Sequence, residues 1–520
     1  MRGNPMYQAV GRYALIGLFC VSCTDLSATQ DSSVVQIGDT LVEGISYANG
    51  VSGFLGLPFA APPIGPLRWE APIPWRPTET NLDATRFKPA CSQSGSGLAW
   101  YHDLMRSVGA DPADMPAPEY DEDCLYLNVW TELKAPSGRP VIVFIHGGSN
   151  TGGWSYEPNY HGEKLAAEGV VVVTVAYRLG IFGWFAHPDL NIQNAALHDL
   201  AAALDWINQH IAVMGGDPNN ITVSGESAGA ANAIHLALSP LAKNRIARVI
   251  HQSAGWQVTD SRSTADAQRR GLQLQHKLLG DTGSLSDLKA VSAEQLMAAA
   301  AEVYDGFYFD PVKDRDSFPQ SVSETIASQS LPKIDLIIGT NSNEELMYVQ
   351  PSWRAKDYLE GRIPEQRWPL IESELAKQPS DLAAMDALGT ALDFTCPSLM
   401  LANAVSKSDG QAWVYHFERV RPGLSVIGAY HGAELPYIFN QHDAWLPTDR
   451  ADHALTGELQ QAWVAFATSG NPNHLEHSDW PKWDQQLRLV RRLDHPSKVD
   501  EHPFLGLCNA LDGMATPAAY

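Results

Sequence analysis

Six runs of apolar residues, rich in Val and Ile, recur along the chain and predict buried strands. Each run is nearly continuous rather than alternating, which is typical of strands that are covered on both faces of a sheet. Segments with helical periodicity separate several runs, the clearest being 196–214. Alternating strands and helices predict an α/β fold with a large, mostly parallel central sheet and helices on both faces. The six runs lie at 141–146, 170–177, 220–225, 246–252, 334–340 and 412–417.

The pattern differs outside this alternating region. Residues 33–130 are richer in Pro and Gly and predict an antiparallel edge with long loops. Residues 260–330 and 352–410 have helical patterns and are interpreted as helical insertions. No segment has the composition of a linker, so we predict a single domain over 33–520.

The N-terminus predicts export. Arg2 and Arg12 precede an apolar stretch at 13–23, which is too short to span a bilayer and suits a secretory signal peptide. Cleavage near Ala28 would make residues 1–28 the signal. Alternatively, the sequence CVSC loosely resembles a bacterial lipoprotein site, and the signal would then end before a lipidated Cys23. The protein is thus expected to be secreted or periplasmic, with a membrane anchor under the second interpretation and no membrane span.

Export changes the expected state of the cysteines. Beyond the N-terminal segment the chain has Cys91, Cys124, Cys396 and Cys508, which allow three pairings. In an oxidising compartment such cysteines are usually bridged.

A net charge of −23 without a Lys/Arg-rich run argues against a nucleic-acid partner. Beyond the N-terminal segment, no Cys-x-x-Cys or His-rich cluster indicates a metal site, and no cofactor is expected.

The run at 220–225 leads into a candidate nucleophile. In the sequence ITVSGESAGA (221–230), Ser227 stands between Gly225 and Gly229, after a strand pattern and before a helical one. Gly-x-Ser-x-Gly at such a junction is the nucleophile elbow of serine hydrolases. Glycines suit it because a tight elbow leaves no room for a Cβ atom. The pattern therefore predicts that Ser227 is a catalytic nucleophile.

A serine nucleophile needs a base and an acid that orients the base. In hydrolases of this architecture the acid and then the histidine follow the serine along the chain. Glu344 and Glu345 follow the strand pattern at 334–340, whereas His431 lies in a loop beyond the pattern at 412–417. A glycine-rich turn, FIHGGSNTGG, follows the first run and supplies backbone N–H groups for an oxyanion.

These blocks together resemble the type-B carboxylesterases, a family that includes cholinesterases and bacterial esterases, and most closely the bacterial type. The resemblance runs from about residue 35 to the C-terminus. It implies an α/β-hydrolase fold and a serine hydrolase that cleaves carboxylic esters, with a small-molecule ester as substrate, through an acyl-enzyme intermediate. Its blocks are found, in family order, at 54–69, 122–130, 177–186, 208–230, 311–319, 463–473 and 480–484.

The resemblance also assigns roles to individual residues. Ser227 matches the nucleophile, Glu344 the acid and His431 the base, while Glu345 stands where Gly is more usual. Several further roles are implied in the same way: oxyanion donors at Gly148, Ser149 and Ala228, with Ser149 replacing a usual Gly or Ala; a Glu226 that tunes His431 or the leaving-group side; a Ser253 hydroxyl near the acid; and disulfides Cys91–Cys124 and Cys396–Cys508.

Two alternatives remain open at this stage. Some relatives of the cholinesterases are non-catalytic binding or adhesion proteins, although these typically lack a member of the triad. The same triad also serves amidases, thioesterases and lipases. The acyl and alcohol preferences depend on loops and helical insertions whose side chains the sequence does not place.

Overall fold

The computed structural model describes residues 33–77, 79–243, 245–258, 263–474 and 479–511. These residues belong to one compact unit. The predicted signal peptide, with Ala28 and Cys23, lies outside the described residues.

Fifteen strands form within the described residues, and thirteen of them make one mixed sheet. Along this sheet the order is β1-β2-β3-β7-β9-β8-β10-β11-β12-β13-β14-β15, with β4 paired to β2, while β5 and β6 pair separately. The strands are β1 (Ser33–Ile37), β2 (Thr40–Ser46), β3 (Ser52–Pro58), β4 (Asn81–Asp83), β5 (Ala90–Cys91), β6 (Tyr120–Asp121), β7 (Tyr126–Thr131), β8 (Arg139–Ile145), β9 (Val171–Val175), β10 (Gly216–Glu226), β11 (Arg248–Gln252), β12 (Asp335–Asn341), β13 (Ala412–Phe417), β14 (Leu489–Leu493) and β15 (Lys498–Glu501).

The seven strands from β9 to β14 in this order are parallel, and the strands on either side of them are antiparallel. The six apolar runs predicted as strands are β8 to β13, at the centre of the sheet. The antiparallel edge predicted within 33–130 is β1, β2, β3 and β7. The predicted fold class is therefore confirmed.

Sixteen α-helices cover the sheet within the described residues. The segment predicted at 196–214 forms α4 and then one 3₁₀ turn. The insertions contain α6–α9 and α10–α13, and a π-helical turn at Thr390–Thr395 joins α12 to α13. The helices are α1 (Ser96–Ser107), α2 (Glu163–Ala166), α3 (Gly180–Gly183), α4 (Ala195–His210), α5 (Ala228–Leu238), α6 (Thr264–Leu279), α7 (Leu285–Lys289), α8 (Ala293–Val303), α9 (Val322–Ala327), α10 (Ala355–Leu359), α11 (Trp368–Leu375), α12 (Asp381–Gly389), α13 (Cys396–Lys407), α14 (Leu435–Ile438), α15 (Arg450–Ser469) and α16 (Leu505–Leu511).

The core lies on both faces of the central strands. Along β8, Val141, Val143 and Ile145 belong to one buried cluster, and Ile142 and Phe144 to another. Successive side chains of a strand point to opposite faces, so each cluster covers one face. This double burial is the physical reason for the continuous apolar runs in the sequence.

Both disulfides implied by the resemblance are present. Cys91–Cys124 closes the segment that carries α1, and Cys396–Cys508 joins the start of α13 to α16. Within the described residues, no helix is both long enough and apolar enough to cross a membrane.

Candidate active site

Ser227 lies at a sharp turn between β10 and α5. Its backbone has φ 55° and ψ −130°, outside the regions that a serine ordinarily occupies. Its N–H donates to the carbonyl of Gln252 at 2.8 Å. A Cβ at Gly229 would collide with the carbonyl oxygen of Ile145, and one at Gly225 with the backbone of Gly229. Only glycine at both positions allows this elbow to pack against β8.

The loops after β12 and β13 bring Glu344 and His431 together. Glu344 Oε2 lies 2.7 Å from His431 Nδ1. The loops are tied to each other by a parallel bridge between Asn343 and Tyr430 and by a 2.8 Å hydrogen bond from Asn341 Nδ2 to the carbonyl of Tyr430. Carboxyl ends of parallel strands share one edge of a sheet, which explains how residues 87 positions apart meet.

Glu344 is completely buried, and its second oxygen accepts the backbone N–H of Asn341 at 2.7 Å. A second buried carboxyl, Glu434, accepts hydrogen bonds from Gln252 Nε2 at 3.1 Å and Asn341 Nδ2 at 2.7 Å. Burial, together with the charge of Glu344, raises the pKa of Glu434. The sequence pattern gave no signal for Glu434, because its partners come from the ends of two separate strands, β11 and β12.

Glu226 faces the other nitrogen of the imidazole. Its Oε1 lies 3.3 Å from His431 Nε2. Burial raises the pKa of Glu226, an effect that His431 opposes. Burial alone would lower the pKa of His431, but the carboxylates of Glu226 and Glu344 outweigh burial and raise that pKa above its ordinary value. The imidazole is therefore held between two carboxylates.

The turn after β8 presents backbone N–H groups beside the serine. Gly148 has φ 99° and Ser149 φ 55°, and both line the same cavity as Ser227. Ala228 is the first residue of α5, where backbone N–H groups have no partner within the helix. Among the residues that the structure describes, no protein acceptor binds the N–H of Gly148, Ser149 or Ala228. These three groups are thus free to bind an oxyanion.

Asn150 anchors this turn to neighbouring segments through hydrogen bonds. Its Nδ2 donates to the carbonyl of Phe309 at 2.8 Å, and its Oδ1 accepts from Asn232 Nδ2 at 2.8 Å. Its carbonyl accepts the N–H of Gly180. The turn is therefore anchored to α5 and to the segment that precedes α9, which limits the motion of its N–H groups.

Ser253 follows β11, between the strands that carry the nucleophile and the acid. It has φ 53°, is completely buried, and its N–H donates to the carbonyl of Gly339 at 2.9 Å. Its hydroxyl has no hydrogen-bond partner among the described residues, so it makes no hydrogen bond to Glu344. Ser253 therefore lies at this edge of the sheet, with its hydroxyl outside the hydrogen bonds of the acid.

A cavity of about 680 Å³ opens over Ser227 and His431. Its walls come from α1, from the loop after β12 and from the helical insertions. Two sets of side chains line the cavity, and apart from Glu226 and Glu345 their members, which are far apart along the chain, were not singled out from the sequence. The aromatic set is Trp100, Tyr101, Tyr160, Trp256, Tyr308, Tyr348 and Phe394, and the charged set, besides His431, is Asp103, Glu157, Glu226, Glu345, Arg362 and Asp393.

Within the described residues, no group of three or more His, Cys, Asp or Glu side chains could hold a metal ion.

Known proteins share this sequence and architecture. The model of the carboxylesterase family matches residues 31–510. The para-nitrobenzyl esterase of Bacillus subtilis is 33% identical over 481 residues, which cover 88% of this chain and 94% of that protein. The fumonisin B1 esterase of Sphingopyxis macrogoltabida is 30% identical over 510 residues, covering 92% of this chain and 91% of the other.

Solved structures agree with these relationships. A PNB esterase superposes with a TM-score of 0.78 at 30% identity, covering 92% of this chain and 99% of the other. A Geobacillus stearothermophilus carboxylesterase gives a TM-score of 0.80 at 27% identity, covering 92% of this chain and 100% of the other. The chain therefore belongs to the carboxylesterase family, and its reaction is the hydrolysis of carboxylic esters.

Proposed function

We propose that ester hydrolysis proceeds through an acyl-enzyme on Ser227. His431 Nε2 takes the hydroxyl proton as Ser227 Oγ attacks the ester carbonyl. The same imidazole then protonates the departing alcohol, which leaves the acyl group on the serine. Water, deprotonated by His431, attacks the acyl-enzyme and releases the acid. Glu344 orients the imidazole and stabilises its positive charge during both steps.

The negative charge of each tetrahedral intermediate falls on the former carbonyl oxygen. The N–H groups of Gly148, Ser149 and Ala228 are proposed to bind this oxygen, because they have no other protein acceptor. The replacement of a usual Gly or Ala by Ser149 keeps the backbone donor. Its side chain adds a hydroxymethyl group to the cavity wall and so affects acyl preference.

One observation carries this proposal. A serine on a strained elbow shares a cavity with an imidazole whose Nδ1 lies 2.7 Å from a buried carboxylate. A structural role alone would not require the backbone strain at Ser227, which costs on the order of 1–3 kcal/mol.

The test is hydrolysis of para-nitrophenyl esters of increasing acyl length by the wild type and by Ser227→Ala. We expect the substitution to lower kcat by at least about 10⁴-fold, because no other group can form the acyl-enzyme. Ser224→Ala is the matched control, since Ser224 is a buried serine of the same strand whose hydroxyl contacts Gln252. Turnover retained in Ser227→Ala would refute the assignment.

We further propose that the protein is exported. The two disulfides support this, because such bonds persist in oxidising compartments. The intact mass of the mature protein separates the two interpretations of the N-terminus. A chain that begins after Ala28 supports a cleaved signal peptide, whereas a lipidated Cys23 supports a membrane-anchored lipoprotein.

A further inference from the structure

Glu345 follows the proposed acid in the chain, but its side chain lines the cavity. Its N–H donates to Asp386 Oδ1 at 3.1 Å, which fixes the backbone against α12. Gly389 leaves room for the side chain, since a Cβ there would lie 2.6 Å from Glu345 Cγ. Among the described residues, no side chain forms a hydrogen bond or a salt bridge with the Glu345 carboxylate, although the charges of Asp393 and His431 act on it. Within this part of the chain, the carboxylate is thus positioned without a hydrogen-bond partner.

The cationic groups around the cavity are already engaged. Arg362 is the only Lys or Arg among the described residues that line it, and its guanidinium pairs with Asp393. His431 is held by Glu344 and Glu226. The lining therefore carries an excess of carboxylates. Glu345 forms no salt bridge among the described residues, and the charge of His431, which acts on it, is already shared with Glu344 and Glu226.

Burial and neighbouring carboxylates destabilise the charged form of Glu345, although the charge of His431 opposes them. Burial, together with the charge of Asp393, raises the pKa of Glu345 to about 7. A cation beside it would relieve the desolvation and the repulsion together, while an anionic group would add to the repulsion. The interaction is strong in a site from which the substrate excludes water.

Aromatic rings on the same cavity favour the same kind of ligand. The ring centroids of Phe394 and His431 are 5.3 Å apart, and the Phe394 ring meets Trp256 edge-on at 5.6 Å. Tyr348 lies on the loop that carries Glu345 and accepts a hydrogen bond from Trp100 Nε1 at 2.8 Å. Aromatic faces attract cations, and their bulk fits the apolar remainder of an ester.

We infer that Glu345 is a specificity-determining residue that binds an ammonium group of the substrate, so that this cavity prefers amine-bearing esters to anionic ones. This inference rests on the proposed function of the cavity. It is a property of this chain, because Glu345 occupies a position where the family more usually has Gly.

The test uses three esters of matched shape that carry trimethylammonium, tert-butyl or carboxylate at one position. One set has the group on the acyl side and another on the alcohol side. Values of kcat/KM are measured at about pH 8.5, where the carboxylate is ionised. In one of the sets, the wild type should prefer the cationic to the neutral ester by about tenfold and disfavour the anionic ester.

Glu345→Gln keeps the shape of the side chain and removes its charge. We expect it to lower the cationic-to-neutral ratio by about tenfold. Asp103→Asn is the matched control, because Asp103 lines the same cavity but its side chain is 71% exposed and pairs with Arg106. It should change the ratio less than about twofold, since solvent screens its charge. Equal ratios in wild type and Glu345→Gln, or an equal loss in Asp103→Asn, would overturn the inference.

A binding measurement separates this inference from the catalytic proposal. Tetramethylammonium is titrated by calorimetry into Ser227→Ala and into the double variant Ser227→Ala/Glu345→Gln. About tenfold weaker binding in the double variant supports the ammonium site even if the enzyme hydrolyses none of the test esters. Equal affinity, or no binding to either protein, would overturn the site whatever the outcome of the kinetic tests.

Discussion

The carboxyl edge of the parallel strands and the helical insertion at 352–410 build one cavity by different means. At the strand edge, Ser227, Glu344 and His431 follow three strands and are fixed by backbone and buried side-chain hydrogen bonds. The insertion contributes Arg362 and Asp393, which pair with each other across helical segments. The edge thus fixes the residues proposed for bond cleavage, while the insertion, together with the loop that carries Glu345, forms part of the cavity wall.

Glu344 contacts His431 at the strand edge, whereas the adjacent Glu345 lines the cavity wall, so these two glutamates allow the sharpest test of the difference between edge and wall. We expect Glu344→Gln to lower kcat for a neutral ester by about 10³ to 10⁴-fold, because an amide does not stabilise the imidazolium or its correct tautomer. Glu345→Gln should lower kcat for the same ester less than about tenfold, because the Glu345 side chain lines the cavity and makes no hydrogen bond to His431 Nδ1. Steady-state kinetics on para-nitrophenyl butyrate measures both.

Comparable losses of kcat in Glu344→Gln and Glu345→Gln would contradict the different roles of the two glutamates. Circular dichroism and thermal unfolding are the controls for folding. Both variants should remain folded, because the Gln that replaces Glu344 can still accept the backbone hydrogen bond from Asn341.

The rigidity of the strand edge is tested at Gly229. A methyl group there would meet the carbonyl of Ile145, so Gly229→Ala should lower the free energy of unfolding by about 3 kcal/mol and distort the elbow. Gly457→Ala is the control, because Gly457 lies within α15 with nothing inside 4 Å of an added Cβ. It should stabilise the protein by about 0.5–1 kcal/mol. Denaturant unfolding of both variants measures this, and an undisturbed Gly229→Ala enzyme would contradict the tight elbow.

The smallest expected effect concerns the carboxylate of Glu226, which faces Nε2 of the His431 imidazole. Glu226 raises the pKa of His431, and the base works only when neutral, so activity requires a higher pH. Glu226→Gln removes this charge, and the acidic limb of the kcat/KM profile should move down by about one pH unit. Asp103→Asn, whose carboxylate is largely exposed, should leave the limb in place. A limb that stays or moves up in Glu226→Gln would show that Glu226 does not tune the base.

The strands and the nucleophile turn could be predicted because their causes are local. Burial on both faces makes β8 to β13 continuous apolar runs, and the collision at Gly229 restricts the elbow to glycine. The positions of Glu344 and His431 followed from chain order and from the family resemblance. Their 2.7 Å contact depends on the pairing of two loops, which pattern alone does not reveal.

The cavity walls could not be predicted from the pattern. Trp100 and Tyr348 are 248 residues apart yet share a hydrogen bond, and Arg362 meets Asp393 across the insertion. Such contacts join turns and helices that are far apart along the chain, and no periodicity encodes them. The sequence signals for the wall were Ser149, Glu226 and Glu345, and the interpretation of Glu345 depends on its position in the cavity without a salt bridge to any described residue.

The most direct measurement of the central claim is covalent labelling with an organophosphonate, followed by peptide mass spectrometry. Such a reagent phosphonylates a serine only where a base and oxyanion donors activate it. The account predicts one adduct, on Ser227, that is absent from Ser227→Ala and strongly slowed in Glu344→Gln but not in Glu345→Gln. A folded wild-type protein without an adduct on Ser227, or with the adduct on another serine, would contradict the account.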